Sequence, residues 1–146
     1  MDISNFEFLW LGQCVCRYQV PLDVYRMINA IYEKNFDKLP PANKQLVGKI
    51  QNEHSLYYQG KDLSKMHHHN MLPLHVLKWF TSRFVHYLEF TKTSSYTLNI
   101  NSVWVNQMKA HEYNPLHVHR GTLFTGLSSV MFLKLPKDMG PEYSST

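Results

Sequence analysis

The chain has 146 residues, 44% apolar and 18% charged, which suits one domain with a real core and excludes a charge-rich disordered chain. Aromatics at 14% lean the fold toward strands and concave pockets. The net charge of +4 comes from Lys and Arg spread without a dense run, and no recognition helix or stacking repeat accompanies it, so a nucleic-acid partner is not expected.

The first residues, "MDISNFEFLWLGQCVC", lack a basic n-region and do not read as a signal peptide. No apolar run is long enough to span a bilayer, so a soluble, cytoplasmic protein without a membrane partner is expected. Residues 5–18 are apolar, aromatic and short of helical spacing, which predicts one strand. On it Cys14 and Cys16 share a face. They are poorly placed to bridge each other, and no second pair exists to complete a structural zinc site. Free thiols in a reducing compartment follow.

Pro21 and Asp23 open a helix whose apolar face recurs at Leu22, Tyr25, Ile28 or Met27, and Ile31 or Tyr32. "DKLPPANKQLVGK" reads as a loop. "KIQNEHSLYYQG" is ambiguous, with room for a short strand at its end. "GKDLSKMHHHNMLP" is a polar connection. Its run His67–His69 cannot turn three consecutive side chains toward one ion in any regular element. Residues 71–90 predict the clearest helix, with Asn70 as cap and Pro73 in the first turn. Leu74, Leu77, Phe80, Phe84 and Leu88 form its expected buried stripe. Trp79 flanks that stripe as packing, and His86 and Glu89 face outward.

After "TKTSS" the pattern alternates. "SYTLNINSVWVNQMKA" predicts a strand with Leu98, Ile100, Ser102, Trp104, Asn106 and Met108 on one face. Val103 and Val105 take the other. The Trp104 face is the expected core side, with Asn106 its odd polar member. "HEYNP" is a turn, "LHVHR" a short strand, and "LFTGLSSVMFLKLP" a further strand closed by Pro136. Residues 137–146 form a tail. There is no internal repeat.

Within "EYNPLHVHRG", His117 and His119 leave a strand on the same side and aim two imidazoles at one point. Val118 turns into the opposite layer. Imidazole suits iron, copper, zinc and nickel. His111 and His54 are further candidate donors, while Glu112 reads as a solvated turn residue.

The segment "SVWVNQMKAHEYNPLHVHRGTLFTGLSSVMFLKLP" resembles the first half of the double-stranded β-helix core of the iron(II)- and 2-oxoglutarate-dependent oxygenases. The likeness is to a subgroup from marine phages and bacteria. That pattern has a W-x-N strand (Trp104, Asn106), a YNPxHxH ligand turn (Tyr113 to His119) and an LSGVYYLxxP strand (Leu127 to Pro136). The likeness extends over roughly residues 50–136. It implies an α+β chain: an N-terminal strand and helices over 1–95, packed on a partial double-stranded β-helix or jelly roll over 96–136, in one domain spanning 1–146.

The resemblance further implies a dioxygenase, a hydroxylase of C–H bonds coupled to decarboxylation of 2-oxoglutarate. Iron(II) is held by His117 and His119, with His111 as an added candidate. Asn106 and Trp104 border the 2-oxoglutarate site, and Tyr113 and Arg120 border a small-molecule or peptide substrate. Localisation would be the cytoplasm, the host's if phage-encoded, and a homodimer stays open. Most of the superfamily carries a carboxylate where His119 stands. The residues after His119 hold no histidine, and their basic residues are Arg120, Lys134 and Lys137. The third ligand and the usual 2-oxoglutarate-pairing Arg are therefore expected outside this chain.

Two other readings stand beside it. A cupin-like metal-binding protein shares the fold and the H-x-H, but Leu123 and Phe124 stand where a cupin wants Glu. A phage or bacterial interaction module on a β-sandwich needs no catalysis.

Overall fold

The computed structural model describes residues 6–11, 13–42, 48–59, 67–115 and 126–137. Its elements run β1 (Phe6–Leu11), β2 (Gln13–Tyr18), α1 (Leu22–Asn35), a short 3-10 turn (Phe36–Lys38), β3 (Asn52–Tyr58), β4 (His69–Asn70), α2 (Leu74–Phe90) and β5 (Ser102–Gln107). The described residues are mixed α+β, with two small antiparallel sheets and two helices. No helix among the described residues is long and apolar enough to cross a membrane.

The single strand expected over 5–18 is a hairpin instead. The chain doubles back between Leu11 and Gln13, so that Phe6 pairs with Tyr18 and Trp10 with Cys14. Among the described residues the hairpin forms a sheet of its own and does not pair with the main one. On β2, Cys14, Cys16 and Tyr18 are half-buried while Val15 and Arg17 are exposed, the alternation that a strand packed on one side requires. That inner side lies on α2: the Tyr87 hydroxyl donates to the Cys14 carbonyl at 2.9 Å, and Phe6 meets the His86 ring edge-on at 5.0 Å.

The main sheet has the order β4-β3-β5. The segment that read as ambiguous therefore supplies the central strand. One edge of β3 pairs with β5, from Asn52 opposite Gln107 to Tyr58 opposite Ser102. The other edge meets Pro40–Ala42, through Ala42 N–H to the Glu53 carbonyl and Ser55 N–H to the Pro40 carbonyl, both 2.8 Å. Further along that edge β4 pairs Asn70 with Tyr57. Pro40 and Pro41, expected only as loop markers, thus flank a sheet edge. Proline suits that place because it brings no N–H that the ladder would leave unpaired.

The core lies between one face of this sheet and the helices. Leu56 and Val76 are fully buried, joined by Val24, Ile28, Leu39, Tyr57 and Leu72, with Val103, Val105, Ile100, Met131 and Leu133 packed around them. The sheet thus turns its Val103/Val105 side to the core, not the expected Trp104 side. β-Branched valines fill the flat gap over the helices better than Trp beside Asn and Ser would. The helical stripe holds in part. Leu77 and Phe80 pack on the core with Trp79 beside them, but the fully buried residue of the helix is Val76, and Leu74 is 66% exposed.

α2 begins after Pro73, whose carbonyl accepts from Val76 and Leu77 N–H. Asn70 does not cap it. Its side-chain oxygen accepts from Leu72 N–H at 2.7 Å, a local turn ahead of the helix. The helix closes where Lys92 takes a left-handed φ of 55° and Thr93 N–H reaches back to the Leu88 carbonyl at 2.9 Å. In the last expected strand, residues 126–137 pair with no other strand among the described residues. Met131 and Leu133 pack on the core, and the Leu133 carbonyl accepts from the Tyr25 hydroxyl at 3.0 Å.

Candidate functional site

The side of the β3–β5 pair that faces away from the helices gathers polar and aromatic groups. Residues directly opposite in an antiparallel pair share a face. Glu53 stands across from Asn106, Ser55 across from Trp104, and Tyr58 across from Ser102. A bulge between Ser55 and Tyr57 interrupts the alternation, which is why Leu56 and Tyr57 both join the core while Ser55 does not.

Ser55 is 2% exposed and satisfied by His69. His69 Nδ1 lies 2.9 Å from the His67 carbonyl, so it carries the proton and donates. Nε2 is then an acceptor, 2.9 Å from the Ser55 hydroxyl. The Tyr58 ring stacks beside His69 with centroids 6.5 Å apart. This is a nucleophile-and-base geometry in outline. The buried serine and its place between two paired strands make it a polar fastener that pins β4 to β3. The run His67–His69 is thereby split: His69 is half-buried and His67 and His68 are exposed.

At the start of β3 the turn over 108–112 returns the chain to the same strand. Lys49 N–H donates to the Tyr113 carbonyl at 2.9 Å. Gly48, with φ 150°, permits this approach: a Cβ there would sit 3.1 Å from that carbonyl and 3.2 Å from the Asn114 side-chain oxygen. Glu112 is not a solvated bystander. Its carboxylate accepts from Gln51 N–H at 3.0 Å and Lys109 N–H at 2.8 Å. These two bonds, Lys109 first, hold its carboxyl below the usual range. Glu53, 2% exposed, has an Oε1 with no hydrogen-bond partner among the described residues. Burial, and then the charge of Glu112, push its carboxyl up.

The residues singled out by sequence fall as follows. Trp104 is half-buried and Asn106 exposed, both on the polar side. His111 is exposed, at a left-handed φ of 67°, and Tyr113 is exposed. His54 lies on the core side, its ring 4.5 Å from Phe36 and 6.1 Å from Tyr32, an aromatic packing position and not a donor aimed at Asn106. His117, His119 and Arg120 lie outside the described residues. No group of three or more His, Cys, Asp or Glu that could hold a metal forms among the described residues.

Sequence reasoning missed a second polar cluster, because it placed His86 outward. The His86 Nδ1 lies 2.7 Å from the Tyr18 hydroxyl, which also reaches the Arg83 carbonyl at 3.2 Å. Arg83 lies over the Tyr18 ring at 5.4 Å. Burial raises the Cys16 thiol despite the opposing bond from Tyr18, so Cys16 is not an activated nucleophile. The signal available was the i, i+2 alternation Cys14, Cys16, Tyr18.

No protein-family model matches the chain, and neither a curated protein nor a solved structure does.

Proposed function

We propose that the chain carries part of the site of an iron(II)- and 2-oxoglutarate-dependent dioxygenase on a jelly-roll core, with His117 and His119 as two of the metal's donors. Support comes from the W-x-N strand. Trp104 and Asn106 occupy the polar side of β5, opposite Ser55 and Glu53, and the backbone is anchored again at Tyr113 just before the ligand motif. Two neutral imidazoles are a fitting donor pair for iron(II). When bound, iron(II) with 2-oxoglutarate as the reducing cosubstrate would activate dioxygen, the oxidant for C–H hydroxylation. The exposed amide of Asn106 offers donors to a cosubstrate carboxylate, and the exposed Tyr113, with Arg120, borders a small-molecule or peptide substrate.

The test, made on full-length protein that also supplies the third ligand and the 2-oxoglutarate-pairing Arg, is an anaerobic titration with iron(II) and 2-oxoglutarate, followed by succinate formation in air, for wild type and His117→Ala. Wild type develops the visible charge-transfer band of the chelate and forms succinate; the variant does neither. Equal succinate from both removes the enzyme. A binding module without catalysis is the second reading, favoured by the exposed Val130, Phe132 and Leu135 along 126–137.

A further inference from the structure

The stretch 126–137 is held in place while its backbone stays open. Met131 and Leu133 pack on the core, the Tyr25 hydroxyl donates to the Leu133 carbonyl at 3.0 Å, and Lys134 pairs with Glu33 on the same helix. Exposure alternates from Val130 to Lys134, as in an extended chain, with a bend at Leu133. Among the described residues no strand pairs with it, and the hydrogen bond its backbone makes is the one from Tyr25. Its outward side chains are apolar: Val130 is 81% exposed and Phe132 is 71% exposed. An extended, apolar and unpaired segment is a template for another strand. Being anchored already, it loses little freedom when one docks.

The edge that is free follows from the bond that is made. In an extended chain each residue turns its N–H and C=O to one edge, and the next residue turns them to the other. The Leu133 carbonyl faces α1 through Tyr25, so Met131 and Ser129 share that edge. Val130 and Phe132 present theirs to the opposite edge. An antiparallel partner must bond these two residues, and its register decides what stands against them.

We propose that the partner is a second copy of this chain, paired antiparallel about a two-fold axis at Met131, with Val130 of each copy exchanging backbone N–H···O=C bonds with Phe132 of the other. In that register Val130 and Phe132 stand side by side twice on the outward face, a β-branched side chain against an aromatic one. Ser128 falls opposite Lys134, so the charge in the ladder faces a hydroxyl, and Glu33 already balances it. An axis at Val130 would leave Phe132 opposite Ser128, and one at Phe132 would set Lys134 against Val130. The segment is thus complementary to itself, which a two-fold contact requires and a foreign strand has no reason to match. The same edge serves both copies, so assembly closes at two.

The area sets the strength. With Leu127 and Leu135, the outward residues expose on the order of 400 Å² of apolar surface per copy, half of the roughly 800 Å² that each partner gives a standard interface. Each copy also carries a net charge of +4, so the two repel until salt screens them. The pair is therefore weak, with a dissociation constant on the order of 10–100 μM, and tightens as salt rises. It does not rest on the oxygenase reading and holds whether or not His117 and His119 bind iron.

The experiment is sedimentation velocity of the 146-residue chain across micromolar concentrations, for wild type, Val130→Glu, Phe132→Lys and a mixture of the two variants. Both side chains point outward, so neither change reaches the core. Wild type passes from monomer to dimer, and each variant alone pairs at least tenfold more weakly. The mixture recovers a dimer, because the register sets the new Glu against the new Lys. On wild type alone, amide exchange at Val130 and Phe132 slows with concentration while that at Met131 does not. A chain that stays monomeric, or that grows beyond two copies, would overturn the proposal. So would an unchanged dimer in Val130→Glu, which puts the contact on another face, or a mixture no tighter than its parts.

Discussion

Replacing Leu56 with Ala tests the joint between sheet and helices. Leu56 is 0% exposed, sits at the bulge of the central strand and belongs to one cluster with Val24, Ile28 and Val76. Removing three buried carbons costs about 0.8 kcal/mol each in transfer to water, or roughly 2.4 kcal/mol. The hole that remains adds to this, because a bulged strand paired on both edges cannot collapse into it. The total is about 3–4 kcal/mol, inside the range for buried Leu→Ala changes. For a domain whose net stability is on the order of 5–15 kcal/mol, that is a large fraction. The matched control is Leu74→Ala on α2, where the side chain is 66% exposed and the cost is about 0.5 kcal/mol. Urea unfolding followed by tryptophan fluorescence, at unchanged denaturant slope, measures both. Equal costs for the two variants would show that the core does not lie between this sheet and the helices.

Two other outcomes are expected. Tyr18→Phe strips the hydroxyl shared by His86 Nδ1 and the Arg83 carbonyl and destabilises the chain by about 1–2 kcal/mol in the same unfolding assay; a change near zero would mean that water replaces the phenol without loss. On the acid side, Glu112 is the group that matters. Its depressed carboxyl stabilises the fold above its unfolded value, and that contribution disappears as pH falls through the folded one. Exchange at Lys109 and Gln51 should therefore quicken in acid for wild type, with this acid limb absent in Glu112→Gln.

Much of the helical architecture was legible in the sequence. Pro21 with Asp23 marks the start of α1, and a long apolar run after Pro73 marks α2, whose expected span of 71–90 begins three residues ahead of Leu74. Their buried faces were less so. Of the expected row on α2, Leu77 and Phe80 do pack on the core, but the residue buried completely is Val76, a smaller side chain in the same cluster as Leu56. The hairpin was hidden because its two strands are both apolar and meet almost without a loop, so periodicity alone reads one strand. β3 was hidden because its bulge breaks the alternation that would announce it, and its residues join the core on both sides of the break. Around the candidate site, the sequence located Trp104 and Asn106 together on one face but assigned that face to the interior. It missed the role of Glu112, since a carboxylate bound by two backbone N–H groups leaves no composition signal. His86 was lost in the same way: its partner Tyr18 lies 68 residues away.

The extra residue at Leu56 sets the parity of the whole central strand. Upstream of it odd-numbered positions look away from the helices, and downstream the assignment is inverted. Deleting Leu56 itself would restore plain alternation, with Ser55 and Tyr58 still outward and Tyr57 inward; deleting His54 instead would turn the upstream end inside out and drag Glu53 into the oil. Length changes outside the bulge should therefore be purged more severely than loss of the bulged residue.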